Sequence, residues 1–353
     1  MKWEENVRKV VPYVAGEQPN RPNMIKLNTN ECPYPPAPGV RKAAENMESA
    51  ALRLYPNSNA QPLVDELAAY YGVKPEQVFV GVGSDDVLSM AFLTFFNSGK
   101  PILFPDVTYS FYDVWADLYR IPYHTCALDE NWHMNPEDYK QPNGGVIFPN
   151  PNAPTGVEES QELIEEILQA NPDVVVIVDE AYVDFGGTSA LPLLKKYENL
   201  LVVQTFSKSR AMAGMRIGFC LGNEKLIHYL NDVKFSFNSY TMNLPSQVMG
   251  VEAVRDDAYF KATTAKIVAT RERIKKELNE LGFTFPDSKA NFIFASHKEV
   301  PAEELFRALR EADIYVRHWN KPRIANSLRI TVGTDEEMDR LIAFLKNYLE
   351  KRA

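Results

Sequence analysis

VVVIVDEAY (174–182) and LVVQTFSKSRAMAGMRIGFCLG (201–222) decide the reading of the fold. Each opens on a short run that is apolar at successive positions rather than alternate ones, the pattern of a strand covered on both faces. Each then turns abruptly polar. Working outward, FVGVG at Phe79, ILFP at Ile102 and GVIFPN at Gly145 repeat the pattern, with longer segments of helical period between them. In the segment 160–170, Leu163, Ile164, Ile167 and Leu168 fall on one helical stripe. This β-α-β-α alternation predicts an α/β fold whose large domain is a mostly parallel sheet sandwiched by helices.

The flanks read differently. PNRPNM and ECPYPPAPG, between Pro19 and Gly39, carry too many prolines for helix or interior strand, so residues 1–35 are expected to form an extended arm. Beyond the sheet, a long amphipathic helix carrying Ile267, Ile274, Leu278 and Leu281 precedes three strand-like runs, ANFIFA, IYVR and SLRITV. A last helix opens on a capping box, Thr334 to Glu337, and buries Met338, Leu341, Ile342 and Leu345. The expected division is a large domain over 36–240 and a smaller α+β C-terminal domain over 241–353.

Composition narrows the function. The 353 residues suggest about two domains, and 45% hydrophobic with 24% charged residues is an ordinary globular balance. A net charge of −9 argues against nucleic acid or an anionic membrane as the main partner. Cys32, Cys126 and Cys220 form no CxxC pair and the five histidines no HExxH, so neither a disulfide framework nor a metal site is expected. No apolar run approaches the roughly 20 residues of a membrane helix, and the opening MKWEENVRKVVPYVAGE lacks the apolar core of a secretory signal. A cytoplasmic protein is expected. Three common sites are disfavoured: Gly99-Lys100 is followed by Pro101 rather than Ser or Thr, Asp86 replaces the third glycine of a dinucleotide fingerprint, and no GxSxG is present.

In open parallel sheets ligands bind beyond the carboxyl ends of the strands. The residues there are Ser84-Asp85-Asp86, Tyr109, NPNAPTG (150–156), Asp179-Glu180-Ala181-Tyr182 and Thr205-Phe206-Ser207-Lys208. Lys208, with Arg210 and Arg216 near it, is either a surface lysine or an amine nucleophile whose pKa neighbouring cations depress. Asp179 follows an apolar run and needs a partner: a protonated ring nitrogen, a magnesium ion or the amides of a helix it caps. GVGSDD is a plain turn or a cradle of amides for a phosphate. NPNAPTG is a rigid non-helical loop able to hold polar groups against a ligand.

Taken in order, NPNAPTG, DEAY, TFSKSRAMAGMRIGF and SLRITVG, with VVPY, LNTNE, LYP and GVGSDD before them, resemble pyridoxal-phosphate-dependent aminotransferases of fold type I, and among these the histidinol-phosphate aminotransferases. The resemblance runs from the arm to the final helix. It implies pyridoxal 5′-phosphate held as a Schiff base on Lys208, with Asp179 pairing the ring nitrogen and Tyr182 the ring hydroxyl. It further implies that Tyr109 stacks on the ring and that Ser84, Asp85, Thr205, Ser207 and Arg216 surround the phosphate. Tyr55 would reach that phosphate from a second copy, making a homodimer part of the site. Arg329 and Arg317 would grip the substrate's anionic groups, and Tyr13 and the arm from Asn28 to Asn30 would line its pocket. One position departs from the pattern: Ala153 stands where most relatives carry an asparagine that donates to the ring hydroxyl. Either Asn152 serves instead, a water intervenes or Tyr182 makes that contact alone.

The implied reaction is transamination of L-histidinol phosphate with 2-oxoglutarate, giving imidazole-acetol phosphate and L-glutamate in histidine biosynthesis. An aromatic-amino-acid aminotransferase and a phosphothreonine decarboxylase on the same scaffold are the alternatives. A non-enzymatic regulator would carry an additional basic DNA-binding module, and the chain is acidic.

Overall fold

The computed structural model describes residues 2–352. The arm makes a 3-10 turn at Lys2–Asn6 and then runs without regular structure to β1 (Ile25–Lys26). Next come α1 (Pro38–Glu45) and α2 (Gln61–Tyr71), both with proline in the first turn, where its missing N–H costs nothing.

The central sheet holds β2 (Val78–Gly81), β3 (Ile102–Pro105), β4 (Tyr123–Cys126), β5 (Val146–Pro149), β6 (Val176–Asp179), β7 (Leu200–Thr205) and β8 (Gly218–Gly222) in the order β2-β8-β7-β6-β5-β3-β4. Its register is parallel except at β8, which runs antiparallel to both β2 and β7. Every residue of β3, β5, β6 and β7 is buried, as the unbroken apolar runs require. β4 is the exception: YHTC exposes His124 and Thr125 at the sheet edge, and so carries no apolar run to betray it. Covering helices are α3 (Ser84–Phe95), α4 (Tyr112–Tyr119), α5 (Gln161–Ala170) and α6 (Glu224–Phe237). The Ser160 hydroxyl caps α5 by accepting from the Leu163 N–H, and Ile164, Ile167 and Leu168 are buried as the stripe predicts.

One glycine sets how closely sheet and helix meet. A Cβ on Gly218 would lie 2.2 Å from the backbone of Gly83 and Ser84, so β8 passes directly beneath the start of α3 only as glycine.

The remainder comprises α7 (Leu244–Arg255), the long α8 (Asp257–Glu280), β9 (Phe283–Thr284), β10 (Phe292–His297), α9 (Ala302–Glu311), β11 (Ile314–Tyr315), β12 (Arg317–His318), β13 (Leu328–Thr331) and α10 (Asp335–Glu350). β12, β13, β10 and β9 form an antiparallel sheet, and β1 pairs in parallel with β11. Two features depart from the expected division of the chain. Val251, Ala253 and Val254 of α7 share a core with Ala37, Val40 and Leu63 because α1 and α2 supply the apolar face that α7 needs. Ile25 and Leu27, assigned to the arm, complete the C-terminal core beside Ile274, Leu278, Ile293 and Leu341. Their partners lie at the far end of the sequence, beyond reach of any local pattern. Among the described residues no helix is long and apolar enough to cross a membrane, and no cluster of His, Cys, Asp and Glu could hold a metal ion.

The capping box at α10 forms as its sequence requires: the Glu337 N–H donates to the Thr334 hydroxyl at 3.2 Å, and the Thr334 N–H donates to the Glu337 carboxylate at 2.8 Å. Thr334→Ala is expected to lower stability by about 1 kcal/mol. The measurement is the urea midpoint at unchanged slope, and an unmoved midpoint would deny the cap its role.

Candidate active site

The carboxyl ends of β2, β5, β6 and β7 surround a cavity of about 480 Å³, which continues outward into a second chamber of about 710 Å³ under the arm and C-terminal domain. Ser84, Asp85, Tyr109, Asp179, Tyr182, Thr205, Ser207, Lys208 and Arg216 all line the inner cavity.

Its floor is an anion-binding corner. Ser84 and Asp85 open α3, where backbone N–H groups have no partner within the helix and the helix dipole is positive. Gly83 holds φ +88°, and a Cβ there would lie 2.5 Å from an Arg216 guanidinium nitrogen. Arg216 donates to the Asp85 carboxylate at 3.2 Å and to the Ser207 hydroxyl at 3.4 Å, and the Ser207 N–H donates to the Thr205 hydroxyl at 3.1 Å. Tyr109 donates its hydroxyl to the other Asp85 oxygen at 2.7 Å.

Two charges face the cavity in unusual states. Asp179, at the end of β6, accepts from the Tyr112 hydroxyl at 3.0 Å and the Ala181 N–H at 3.2 Å, with no cation beside it. Burial raises its pKa to about 6, against the pull of those two donors. Lys208 is half-buried and opens on the cavity, and its Nζ donates to the Thr29 carbonyl at 3.0 Å. Burial and the Arg329 guanidinium lower its pKa to about 8, in spite of Asp85 and Glu31. An amine so poised is a nucleophile near neutral pH, and a carboxylate so deprived suits a protonated ring nitrogen.

Arg329 and Arg317 mark the outer chamber. Arg329 donates to the Asn28 carbonyl at 3.0 Å while its buried Nε has no partner, and Arg317 donates to the Val14 carbonyl at 3.3 Å. Both guanidiniums lie over the ring of Trp319, at 5.1 and 5.3 Å. Tyr13 stacks on Phe111 with centroids 4.1 Å apart, and Asn30 donates to the Tyr182 hydroxyl at 2.9 Å.

Two candidates lie elsewhere. Asn152 does not line either chamber, because its amide nitrogen is committed to the Val107 carbonyl at 3.1 Å and the Thr155 hydroxyl at 2.9 Å. Tyr55 is 82% exposed and stacks on Tyr240, away from the cavity. Thr29, within the arm segment expected at the substrate pocket, lines both chambers, whereas Tyr112 and Trp319 belong to no motif read from the sequence. Tyr112 follows Tyr109 within TYSFY, one helical turn on, which is the signal that would have found it.

The aminotransferase class I and II family model matches residues 22–345. The chain is 52% identical over 352 residues to "Histidinol-phosphate aminotransferase" of Lactococcus lactis subsp. cremoris strain MG1363, covering 100% of this chain and 99% of the relative. It is 48% identical over 349 residues to the protein of that name from Clostridium botulinum strain Langeland, covering 99% of each. The crystal structure of histidinol-phosphate aminotransferase from Sinorhizobium meliloti in complex with pyridoxal-5′-phosphate superposes with a TM-score of 0.84 at 23% identity, covering 94% of this chain and 92% of that one.

The buried carboxylate sets a pH dependence. Between the ordinary carboxylate pKa near 4 and about 6, the folded state holds on Asp179 a proton that the unfolded chain has released. Stability contributed by this group therefore falls as pH rises through that window, and above it the full cost of about 3 kcal/mol applies. Asp179→Asn removes the charge: its Oδ1 can still accept from the Ala181 N–H, while its Nδ2 donates to the Tyr112 oxygen in place of the bond that ran the other way. It is expected to raise the melting temperature of the ligand-free protein at pH 7.5 and to leave it nearly unchanged at pH 4; equal effects at both would remove the desolvation argument.

Proposed function

The chain belongs to the class I and II aminotransferases and, within them, to the histidinol-phosphate aminotransferases; from this we propose that it converts L-histidinol phosphate and 2-oxoglutarate to imidazole-acetol phosphate and L-glutamate, a step of histidine biosynthesis. The single observation that carries the reading is one continuous cavity with Lys208 and Asp179 at its inner end and Arg317 and Arg329 at its outer end. It is a pyridoxal-phosphate-dependent transferase, and the residues present fit that group. Asp179 is a buried carboxylate lacking a cation, and the start of α3 with Arg216 and Ser207 forms a corner for a phosphate.

When bound, pyridoxal phosphate supplies an electron sink that acidifies the carbon bearing the substrate's amino group and stores that group between half-reactions. Lys208 would hold the cofactor through Nζ, and the same amine, at the inner end of the cavity, is placed to take up and return a proton. Its pKa of about 8 leaves a useful fraction unprotonated at neutral pH. Asp179, fixed by the Tyr112 hydroxyl, would pair with the ring nitrogen and keep it protonated, Tyr109 would cover the ring, and Tyr182 would donate to the ring hydroxyl. Ser84 and Asp85 offer backbone amides to the phosphate, joined by Ser207, Arg216 and the neighbouring Thr205. Arg329 and Arg317 present forked donors to a carboxylate and a phosphate, the two anionic groups that alternating substrates bring. Tyr13 and Asn30 line the pocket those substrates enter.

The reading includes a homodimer in which Tyr55 completes the partner's phosphate site. Its support is an exposed apolar patch: Leu52, Leu54 and Tyr55 lie on one short segment, Tyr55 packs on Tyr240, and Phe237 is 68% exposed nearby in sequence. The three free cysteines suit a reducing compartment, and the cytoplasm is the proposed location.

The visible absorbance of the holoenzyme is expected to bleach with histidinol phosphate and with glutamate, and far less with phenylalanine. Bleaching chiefly by phenylalanine would replace the reading with an aromatic transaminase, and conversion of phosphothreonine without bleaching would replace it with a decarboxylase. Lys208→Ala is expected to reduce kcat by about 10²–10⁴-fold or more. Arg317→Gln is expected to raise KM for histidinol phosphate about 10- to 100-fold, the loss of one charged hydrogen bond, while KM for glutamate moves less; equal rises would move the phosphate contact elsewhere.

A further inference from the structure

Beside Tyr182, at the wall of the outer chamber, a buried polar cluster joins the arm to the C-terminal sheet. Asn30 is its centre: 1% exposed, with φ +55°, a left-handed conformation that asparagine tolerates better than most residues. Three bonds fix it in place. Its N–H donates to the Thr331 hydroxyl at 3.1 Å, its carbonyl accepts from Asn291 Nδ2 at 3.0 Å, and its side-chain oxygen accepts from the Thr331 hydroxyl at 3.0 Å. With Oδ1 receiving the Thr331 proton, the amide has one orientation left. Its Nδ2 faces Tyr182 and donates to the phenolic oxygen at 2.9 Å.

We propose that Asn30 is a positioning residue that turns the Tyr182 hydroxyl proton into the cavity. Because the phenolic oxygen already accepts from Asn30, its own hydrogen is directed to the other side, toward whatever acceptor the cavity holds. The chain of donors Thr331, Asn30, Tyr182 runs one way, and each bond polarises the next. The same bond from Asn30, together with the nearby Arg329, opposes the upward push that burial gives the Tyr182 pKa. The direction matters here because residues 152 and 153 of the facing loop bring no side-chain donor to the cavity: Ala153 has a methyl group there, and the Asn152 amide is committed to Val107 and Thr155. Asn30 thus acts through Tyr182 rather than on the substrate alone.

The proposal rests on the reading that Tyr182 meets the cofactor's ring hydroxyl, and the test separates the two. A donor on that oxygen stabilises its negative charge and lowers the pH at which the bound cofactor sheds its proton, a change visible in the absorbance of the holoenzyme. Tyr182→Phe is expected to raise that spectral midpoint. Asn30→Ala is expected to raise it by about half to one unit, the worth of one hydrogen bond, and to add nothing further in the Tyr182→Phe background. Asn30→Asp, which can only accept when ionised, is expected to raise it more than Asn30→Ala. Should Asn30→Ala fail to fold, Thr331→Val removes the orienting hydroxyl and is expected to shift the midpoint the same way. An unmoved midpoint in Tyr182→Phe overturns the reading of Tyr182. A midpoint that moves in Tyr182→Phe but not in Asn30→Ala or Thr331→Val, or an Asn30→Ala shift of undiminished size in the double variant, overturns the role of Asn30 alone.

Discussion

Asp179 carries its charge to the end of a strand buried on both faces, where two hydrogen bonds meet it and no cation does. Lys208, across the same cavity, is held with its proton less tightly bound than water would allow. Each group is displaced from its preferred state by burial, and displaced in the direction that a ligand with a positive ring nitrogen and a reactive carbonyl would reverse. The sheet makes this possible. Only a layer covered by helices on both sides can bring four strand ends together and keep bulk water from the charges they carry. The contact of Gly218 with Gly83 and Ser84 completes the arrangement, because it presses the start of α3 against β8 and brings Arg216 to the floor.

The two chambers have different builders. Strand ends of the central sheet make the inner one, whose groups vary little in position because the sheet fixes them. The arm and the C-terminal domain roof the outer one, and they are joined to the large domain by a shared core and by polar contacts: Ala290 and Phe292 pack with Tyr182 and Phe185, Arg271 donates to the Phe185 carbonyl at 2.8 Å, and Arg323 pairs with Asp106 and lies over Trp132.

What could be read from the sequence follows from how local each signal is. The apolar runs at Ile102, Gly145, Val174 and Leu201 identify buried strands because a strand covered on both faces has nowhere to put a polar residue. The groups following those runs then lie at the strand ends, which is why Asp179, Tyr182, Thr205, Ser207 and Lys208 were legible together. β4 was not, since an edge strand with exposed His124 and Thr125 has no such run. Asn152 was misplaced by one residue of chemistry: the loop does hold an asparagine at the right depth, but its amide closes the loop on Thr155 and Val107. Arg317 and Arg329 drew attention only through the resemblance, because an arginine on a short strand has no intrinsic mark of function. The bonds from Thr331 and Asn291 to Asn30 join segments some three hundred residues apart, and no periodicity announces such a meeting.

The pairing of Ile25–Lys26 with Ile314–Tyr315 has a consequence in time as well as space. A ribosome delivers the second of these segments only after the whole central sheet that lies between them in sequence. Until the segments from Ile274 onward are made, Ile25 and Leu27 have no core to enter, and the central sheet can assemble beside an apolar tether that it cannot use. The roof over the outer chamber therefore closes last, so a nascent chain that already carries Lys208 and Asp179 in place still lacks the wall that would hold a substrate against them.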